Sequence, residues 1–218
     1  MKNMIFIAPP AAGKGTQSKI FSEKYNIPHI STGDLLRQEI TCNTPTGKLI
    51  KSKIENGEFV DDDIMYELLY NRLKENDCSN GYILDGFPRN VEQAISYEKI
   101  LESLNKELGY VFLLDIPREI AKERILGRLS CSKCGKVYNE TAEYLLPNVS
   151  GICDICNSPL TRRKDDTLEV FEDRYNLYLL ETKPLIEYYN KKGNLYVIDS
   201  SINAMYTKEQ IEKIIKGS

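Results

Sequence analysis

Arginine is scarce in this chain, nine residues against twenty lysines among 218. Where so few are kept, fork-shaped recognition of phosphate is the reading for those that cluster. Histidine is scarcer: the single His29 reads as a strand-end residue rather than a catalyst. A positive excess is missing too. The net charge of -3 and the pI of about 5.5 argue against a broad basic surface, so no nucleic-acid partner is expected. No stretch approaches the roughly 20 apolar residues of a membrane span, and no membrane partner is expected. The apolar run ahead of Pro9-Pro10 is only about five residues, short of the ~7–15 of a secretory signal, so the expected compartment is the cytoplasm. Repeats and low-complexity segments are absent as well. What is present is an ordinary globular composition, 41% hydrophobic and 28% charged, long enough for one sizeable core with an insertion or two.

The chain is organised around Ala8-Pro9-Pro10-Ala11-Ala12-Gly13-Lys14-Gly15-Thr16. The apolar run Met4–Ile7 leads in, and a helical pattern from Gln17 to Tyr25 leads out. A strand turning through small residues into a helix offers backbone N–H groups and about half a positive charge to an anion. Lys14 adds a full charge, and Thr16 has a hydroxyl to offer to Mg²⁺, directly or through water. The pattern resembles the P-loop G-x-x-x-x-G-K-[ST], with Ala8 at its first glycine and Ala11 at another frequent one. Alanine there requires negative φ or a small backbone shift. A small-residue turn that happens to end in Gly-Lys is the bland alternative.

Further strands are expected at Ile27–Ser31, Tyr82–Asp85, Tyr110–Ile116 and Leu195–Asp199. Helices are expected at 35–40, 47–55, 64–76, 91–104, 117–128 and 207–216. Strands alternating with helices mean an α/β parallel sheet. Asp61-Asp62-Asp63 reads as first-turn acid complementing a helix dipole. Asp85 ends a strand just before Gly86-Phe87-Pro88-Arg89, where an acid is the expected partner of Mg²⁺ or its water in phosphoryl transfer.

Residues 130–161 break this rhythm. Cys131-x-x-Cys134 and Cys153-x-x-Cys156 have the spacing of a four-cysteine zinc site. Disulfides are the weaker reading without a secretion signal, and paired motifs at this spacing argue against redox chemistry. Four thiolates close the coordination sphere, so the metal is read as structural. Cys42 and Cys78 read as ordinary small side chains. Arginines bracket the segment. Arg124 and Arg128 are expected to share a helix face, and Arg162-Arg163 lies at the return. Asp166 with Glu169 reads as a helix cap for a helix turning Leu168, Phe171, Tyr175 and Leu179 inward, with Arg174 nearby. Solvated helix charge is the bland reading of these cations.

APPAAGKGTQ, ISTGDLLR, GEFV, LDGFPRN, ERILGR, the four cysteines and TRRKDD, in this order, resemble the adenylate kinase family in its long form with a zinc-bearing lid. The resemblance covers essentially the whole chain. It implies a P-loop NTPase three-layer fold with a five-stranded parallel sheet ordered 2-3-1-4-5. The core would be residues 1–30, 61–127 and 165–218, with an NMP-binding insertion at 31–60 and a lid at 128–164. The activity implied is Mg²⁺-dependent, reversible transfer of the terminal phosphoryl group of ATP to AMP, giving two ADP, in nucleotide salvage and energy balance. The enzyme would be a monomer. Another nucleoside monophosphate kinase, a nucleotide-binding pseudo-enzyme and a zinc-ribbon nucleic-acid protein remain as alternatives.

By the same resemblance, ATP would lie on Ala11, Ala12, Gly13, Lys14, Gly15 and Thr16, and touch Arg128, Val137, Tyr138 and the backbone of Ile202. AMP would lie on Thr32, Arg37, Glu58, Phe59, Val60, Gly86, Phe87, Pro88, Arg89 and Gln93. Arg124, Arg163 and Arg174 would gather round the transferring group, the last two also on the AMP side. Lys14, Arg89, Arg124, Arg128, Arg163, Arg174 and Asp85 form the catalytic set, with Thr16 and Asp85 toward Mg²⁺. Gln93 and Thr32 would read the AMP base. AMP's own phosphate oxygen is the nucleophile, so no side-chain base is required.

Overall fold

The computed structural model describes residues 2–42, 44–55, 60–163 and 165–217. Taken along the chain, the elements are β1 Met4–Ile7, α1 Lys14–Tyr25, β2 His29–Ser31, α2 Thr32–Thr41, α3 Pro45–Glu55, α4 Asp62–Leu73, β3 Ile83–Asp85 and α5 Val91–Ser103. Then follow β4 Tyr110–Asp115, α6 Arg118–Leu126, β5 Arg128–Cys131, β6 Val137–Asn139, β7 Leu160–Thr161, α7 Leu168–Leu177, α8 Lys183–Lys191, β8 Leu195–Asp199 and α9 Ala204–Lys216.

Five strands form one sheet in the order β2-β3-β1-β4-β8, all parallel. This is the 2-3-1-4-5 order that the family resemblance implies. The inner strands β3, β1 and β4 are buried on both faces, which explains their unbroken apolar runs, whereas the edge strands leave His29 and Val197 exposed. Period-2 alternation then divides the core. Ile5, Ile7, Leu84 and Leu113 join Leu69, Tyr97 and Tyr189 on one side. Met4, Phe6, Phe112 and Leu114 join Phe21, Phe171 and Ile211 on the other. Each such side chain contributes roughly 1.5–3 kcal/mol by leaving water. Because all five strands run the same way, the loops at their carboxyl ends gather on one edge, where open α/β sheets place ligands.

A second, antiparallel sheet, β6-β5-β7, lies in the cysteine-bearing segment. Its apolar cluster is small: Leu129, Tyr138 and Leu160 around the four cysteines. The helix ahead of it is shorter than the sequence pattern suggests. It ends at Leu126, and Arg128 opens β5, so Arg124 and Arg128 do not share a helix face. The reason lies at Gly127, the C-cap, where a Cβ would stand 2.6 Å from Asn139 Oδ1. Only glycine lets the chain turn this tightly against β6.

Two further expectations fail beyond the cysteine segment. The cap of α7 is Thr167, whose side chain accepts from Val170 N; Asp166 is buried and serves elsewhere. Of the four residues expected to face inward, Phe171 is fully buried, whereas Leu168 and Leu179 are exposed. The helical path slips out of 3.6-residue phase at Tyr178–Thr182, a π-helical turn joining α7 to α8. A turn of that kind advances the helix face and displaces the periodic pattern.

Candidate functional site

Lys14 opens α1 behind Gly13, its N-cap, at φ 88. Ala11 also lies in the left-handed region, at φ 61. That overturns the expectation of negative φ there, and for an alanine it costs about 1–2 kcal/mol. Ala8 is not among the positive-φ residues. The Lys14 ammonium sits 2.8 Å from Asp85 Oδ1 at the end of β3, and His29 Nε2 lies 3.0 Å from Asp85 Oδ2. Burial by itself would raise the Asp85 carboxyl. The His29 hydrogen bond and the Lys14 charge outweigh it and hold the group at about 2. His29 thus has a task the sequence did not reveal, orienting Asp85.

Gly86 follows at φ +79, and three functional side chains surround it. A Cβ there would lie 3.4 Å from Thr32 Oγ1, 3.5 Å from Arg89 Nη2 and 4.0 Å from Lys14 Nζ. Residues assigned separately to the ATP and AMP sides therefore meet at one glycine. Thr32 Oγ1 and Arg89 Nε both donate to Gly86 O, at 3.4 and 2.8 Å. Phe87 and Pro88 are buried behind a cis peptide bond, with Phe87 edge-on to Tyr66 and Tyr97. Gln93 has both ends of its amide engaged: Oε1 accepts from Arg89 N at 2.9 Å, and Nε2 donates to Asp62 Oδ1 at 3.1 Å. Asp62 is a residue that sequence reasoning assigned only to dipole compensation. Arg37 is exposed and pairs with Asp34. Val60 is half-buried. Glu58 and Phe59 lie outside the described residues.

The arginines near the second sheet divide into two groups. Arg124 grips the segment after β8, donating from Nη1 to Ser200 O at 2.8 Å and from Nη2 to Ser201 O at 2.8 Å and Ile202 O at 3.2 Å. The Tyr144 hydroxyl donates to the same Ile202 carbonyl at 2.9 Å. Arg128 forks onto Asp166, with Nε 2.8 Å from Oδ2 and Nη2 on Oδ1. The Asp166 side chain is wholly shielded from solvent. Arg174 donates to Asp165 Oδ2 at 2.7 Å, and that hydrogen bond holds the Asp165 carboxyl below its usual range. Arg163 is exposed. Neither it nor Arg89 pairs with a carboxylate among the described residues.

The Sγ atoms of Cys131, Cys134, Cys153 and Cys156 lie within 4.8 Å of one another. The closest pairs, Cys131–Cys156 and Cys134–Cys153, are 3.4 and 3.5 Å apart. Four sulfurs at about 2.3 Å from one tetrahedral Zn²⁺ would be separated by about 3.8 Å, so the cluster fits such an ion. Burial alone would raise the Cys153 thiol. Hydrogen bonds from the Tyr138 hydroxyl and from backbone N–H groups reverse that and bring it to about 6. The Tyr138 ring is buried within this segment, its hydroxyl 3.5 Å from Cys153 Sγ. Val137 beside it is half-buried.

A family model described as adenylate kinase matches residues 6–194. Among curated proteins, the adenylate kinase of Kosmotoga olearia is 46% identical over 215 residues, covering 99% of both chains. That of Clostridium tetani is 42% identical over 213 residues, 98% of both. That of Thermosipho africanus is 41% identical over 214 residues, 98% of this chain and 99% of its own.

Proposed function

Because the chain belongs to the adenylate kinase family, we infer that its Lys14–Asp85–Arg89 site carries the transfer of the terminal phosphoryl group of ATP to AMP. The phosphotransferase activity belongs to the family; the assignment of residues is proposed. The observation that supports it best is the crowding of Lys14 Nζ, Arg89 Nη2 and Thr32 Oγ1 around Gly86, one cation from each nucleotide's side.

In the proposed reaction an AMP phosphate oxygen bonds to the γ-phosphorus of ATP. The bond to the β,γ-bridging oxygen breaks, and ADP leaves with its electron pair. The nucleophile is already ionised, so no general base is needed. The obstacle is repulsion between two polyanions, which must be brought in line within about 3–3.5 Å. Lys14 and the N-terminus of α1 hold ATP's phosphates; Ala12, Gly15 and Thr16 complete that cradle with Ala11 and Gly13. Arg37 and Arg89 hold the AMP phosphate. Arg163, and Arg124, Arg128 and Arg174 once phosphate displaces their present carbonyl and carboxylate partners, neutralise the transferring group. Contacts from Phe87, Pro88, Tyr138 and Ile202 run through backbone.

Mg²⁺ bound with ATP supplies charge neutralisation between phosphates; the ionised Asp85 and the exposed Thr16 hydroxyl are the donors suited to it, through water or directly. The four cysteines would hold a structural Zn²⁺. Residues 31–60 and 128–164 are proposed to move as flap and lid over the core, shutting out water that would otherwise hydrolyse ATP. No helix among the described residues is long and apolar enough to cross a membrane; a cytoplasmic monomer is the proposed state.

A coupled assay with each nucleoside monophosphate in turn tests the reading. ADP is expected from AMP with ATP and Mg²⁺. Conversion of UMP or CMP with AMP inert would overturn it.

A further inference from the structure

Ser200, just past β8, is buried, and each of its polar groups is committed. Its N–H donates to Asp115 O at 2.8 Å. Its carbonyl accepts from Arg124 Nη1 at 2.8 Å. Its hydroxyl donates to Ala12 O at 2.5 Å, in the middle of the phosphate loop. A hypothetical Cβ on Gly13 would lie 3.9 Å from the same hydroxyl oxygen. One residue thus reaches the loop through its side chain, and the end of β4 and an arginine assigned to the transferring phosphate through its backbone.

We propose that Ser200 is a positioning residue for ATP, its hydroxyl locking the Ala12–Gly13 peptide so that Gly13 N–H faces the phosphate cradle. This rests on the phosphate-binding reading of the loop. The geometry follows from the peptide bond. In a trans peptide the carbonyl and the next N–H point in opposite directions. Holding Ala12 O against Ser200 therefore sends Gly13 N–H to the far side. A flipped peptide would present a carbonyl oxygen to a polyanion instead of a donor.

The loop is prone to that flip. Gly13, at φ 88, tolerates either orientation at little cost. Ala11 stores strain at φ 61, which a rearranged loop would release. The other bond within the turn, Ala12 N to Pro9 O, is long at 3.4 Å. The hydroxyl lock compensates for an alanine held where glycine would be at ease.

The test compares Ser200→Ala with the unaltered enzyme, alone and combined with Ala11→Gly. Removing one hydrogen bond of this kind is expected to weaken ATP binding by calorimetry, and to raise the KM for ATP, about 3- to 10-fold. The AMP KM and kcat should stay within about twofold. In the Ala11→Gly background the ATP effect should shrink below about twofold, because glycine rests unaided in the left-handed region. Unchanged ATP affinity overturns the proposal. So does an equal loss for ATP and AMP accompanied by a lower melting temperature, which marks a purely structural role. An undiminished loss with glycine at position 11 overturns the compensation. Should Ser200→Ala fail to fold, Ser200→Cys, which fills the same space with only a weak donor, carries the same comparison. Calorimetry reads ATP affinity whether or not turnover occurs, so failure of the phosphotransfer reading is told apart from failure of the lock.

Discussion

Arg89 carries a charge that no described carboxylate balances, so its guanidinium is free to bind phosphate without breaking a salt bridge. Replacing it with alanine should raise the KM for AMP about 10- to 100-fold, the worth of a charge-assisted hydrogen-bond pair. The KM for ATP should remain within about twofold; equal losses for both substrates would break the division of the site. Asp85 offers a test in pH. Its carboxyl titrates at about 2 rather than 3.8, so the ionised form is favoured by folding. That contribution, roughly 2 kcal/mol, is complete above about pH 4 and is lost as pH falls toward 2. The melting temperatures of the wild type and Asp85→Asn should therefore converge across that interval. A constant gap would show that His29 and Lys14 do not hold the charge. The sequence made Lys14 and Asp85 visible through their motifs. It hid His29, Ser200 and Asp166, because a lone polar residue has no spacing signature and each acquires its role only through a partner dozens of residues away.

At the scale of elements, the sequence showed the sheet well because parallel strands are apolar on both faces and end in turn residues. The boundaries it misjudged have local causes. Thr167 caps α7 in place of Asp166 because the latter's carboxylate is drawn to Arg128. Leu179 faces out because the π-helical turn shifts the helix phase. Gly127 sets the end of α6 by contact rather than by φ, which is -85. A methyl group there meets Asn139 Oδ1 at 2.6 Å and Thr141 Oγ1 at 2.9 Å. Gly127→Ala should lower stability by about 1–3 kcal/mol, seen as a shifted denaturation midpoint with an unchanged slope. The four cysteines were legible from spacing alone, and they cluster as that spacing requires. Dialysis against a chelator, followed by its removal and assay with Mg²⁺ restored, should lower the melting temperature while leaving phosphotransfer intact at low temperature. Loss of turnover from a still-folded protein would make the metal catalytic instead.

The whole molecule combines a stiff parallel core with a small antiparallel sheet whose apolar interior is slight. Three arginines assigned to the transferring phosphate are already engaged by the protein's own oxygens. Nucleotide binding therefore exchanges partners rather than creating ion pairs from nothing. Affinity for ATP should fall with added salt less steeply than five unpaired cations (Lys14, Arg124, Arg128, Arg163 and Arg174) would require, because internal acceptors offset part of the gain. A titration of ATP affinity against ionic strength measures this. A slope matching five free charges would contradict it.

The phosphate loop is laid down near the beginning of the described chain, but the hydroxyl that steadies it stands 188 residues later. A ribosome adding about 5–20 residues each second leaves that loop unbraced for roughly 10–40 s. During synthesis the growing polypeptide would lack that brace, and about 3- to 10-fold of its hold on ATP would arrive only with the final strand of the sheet.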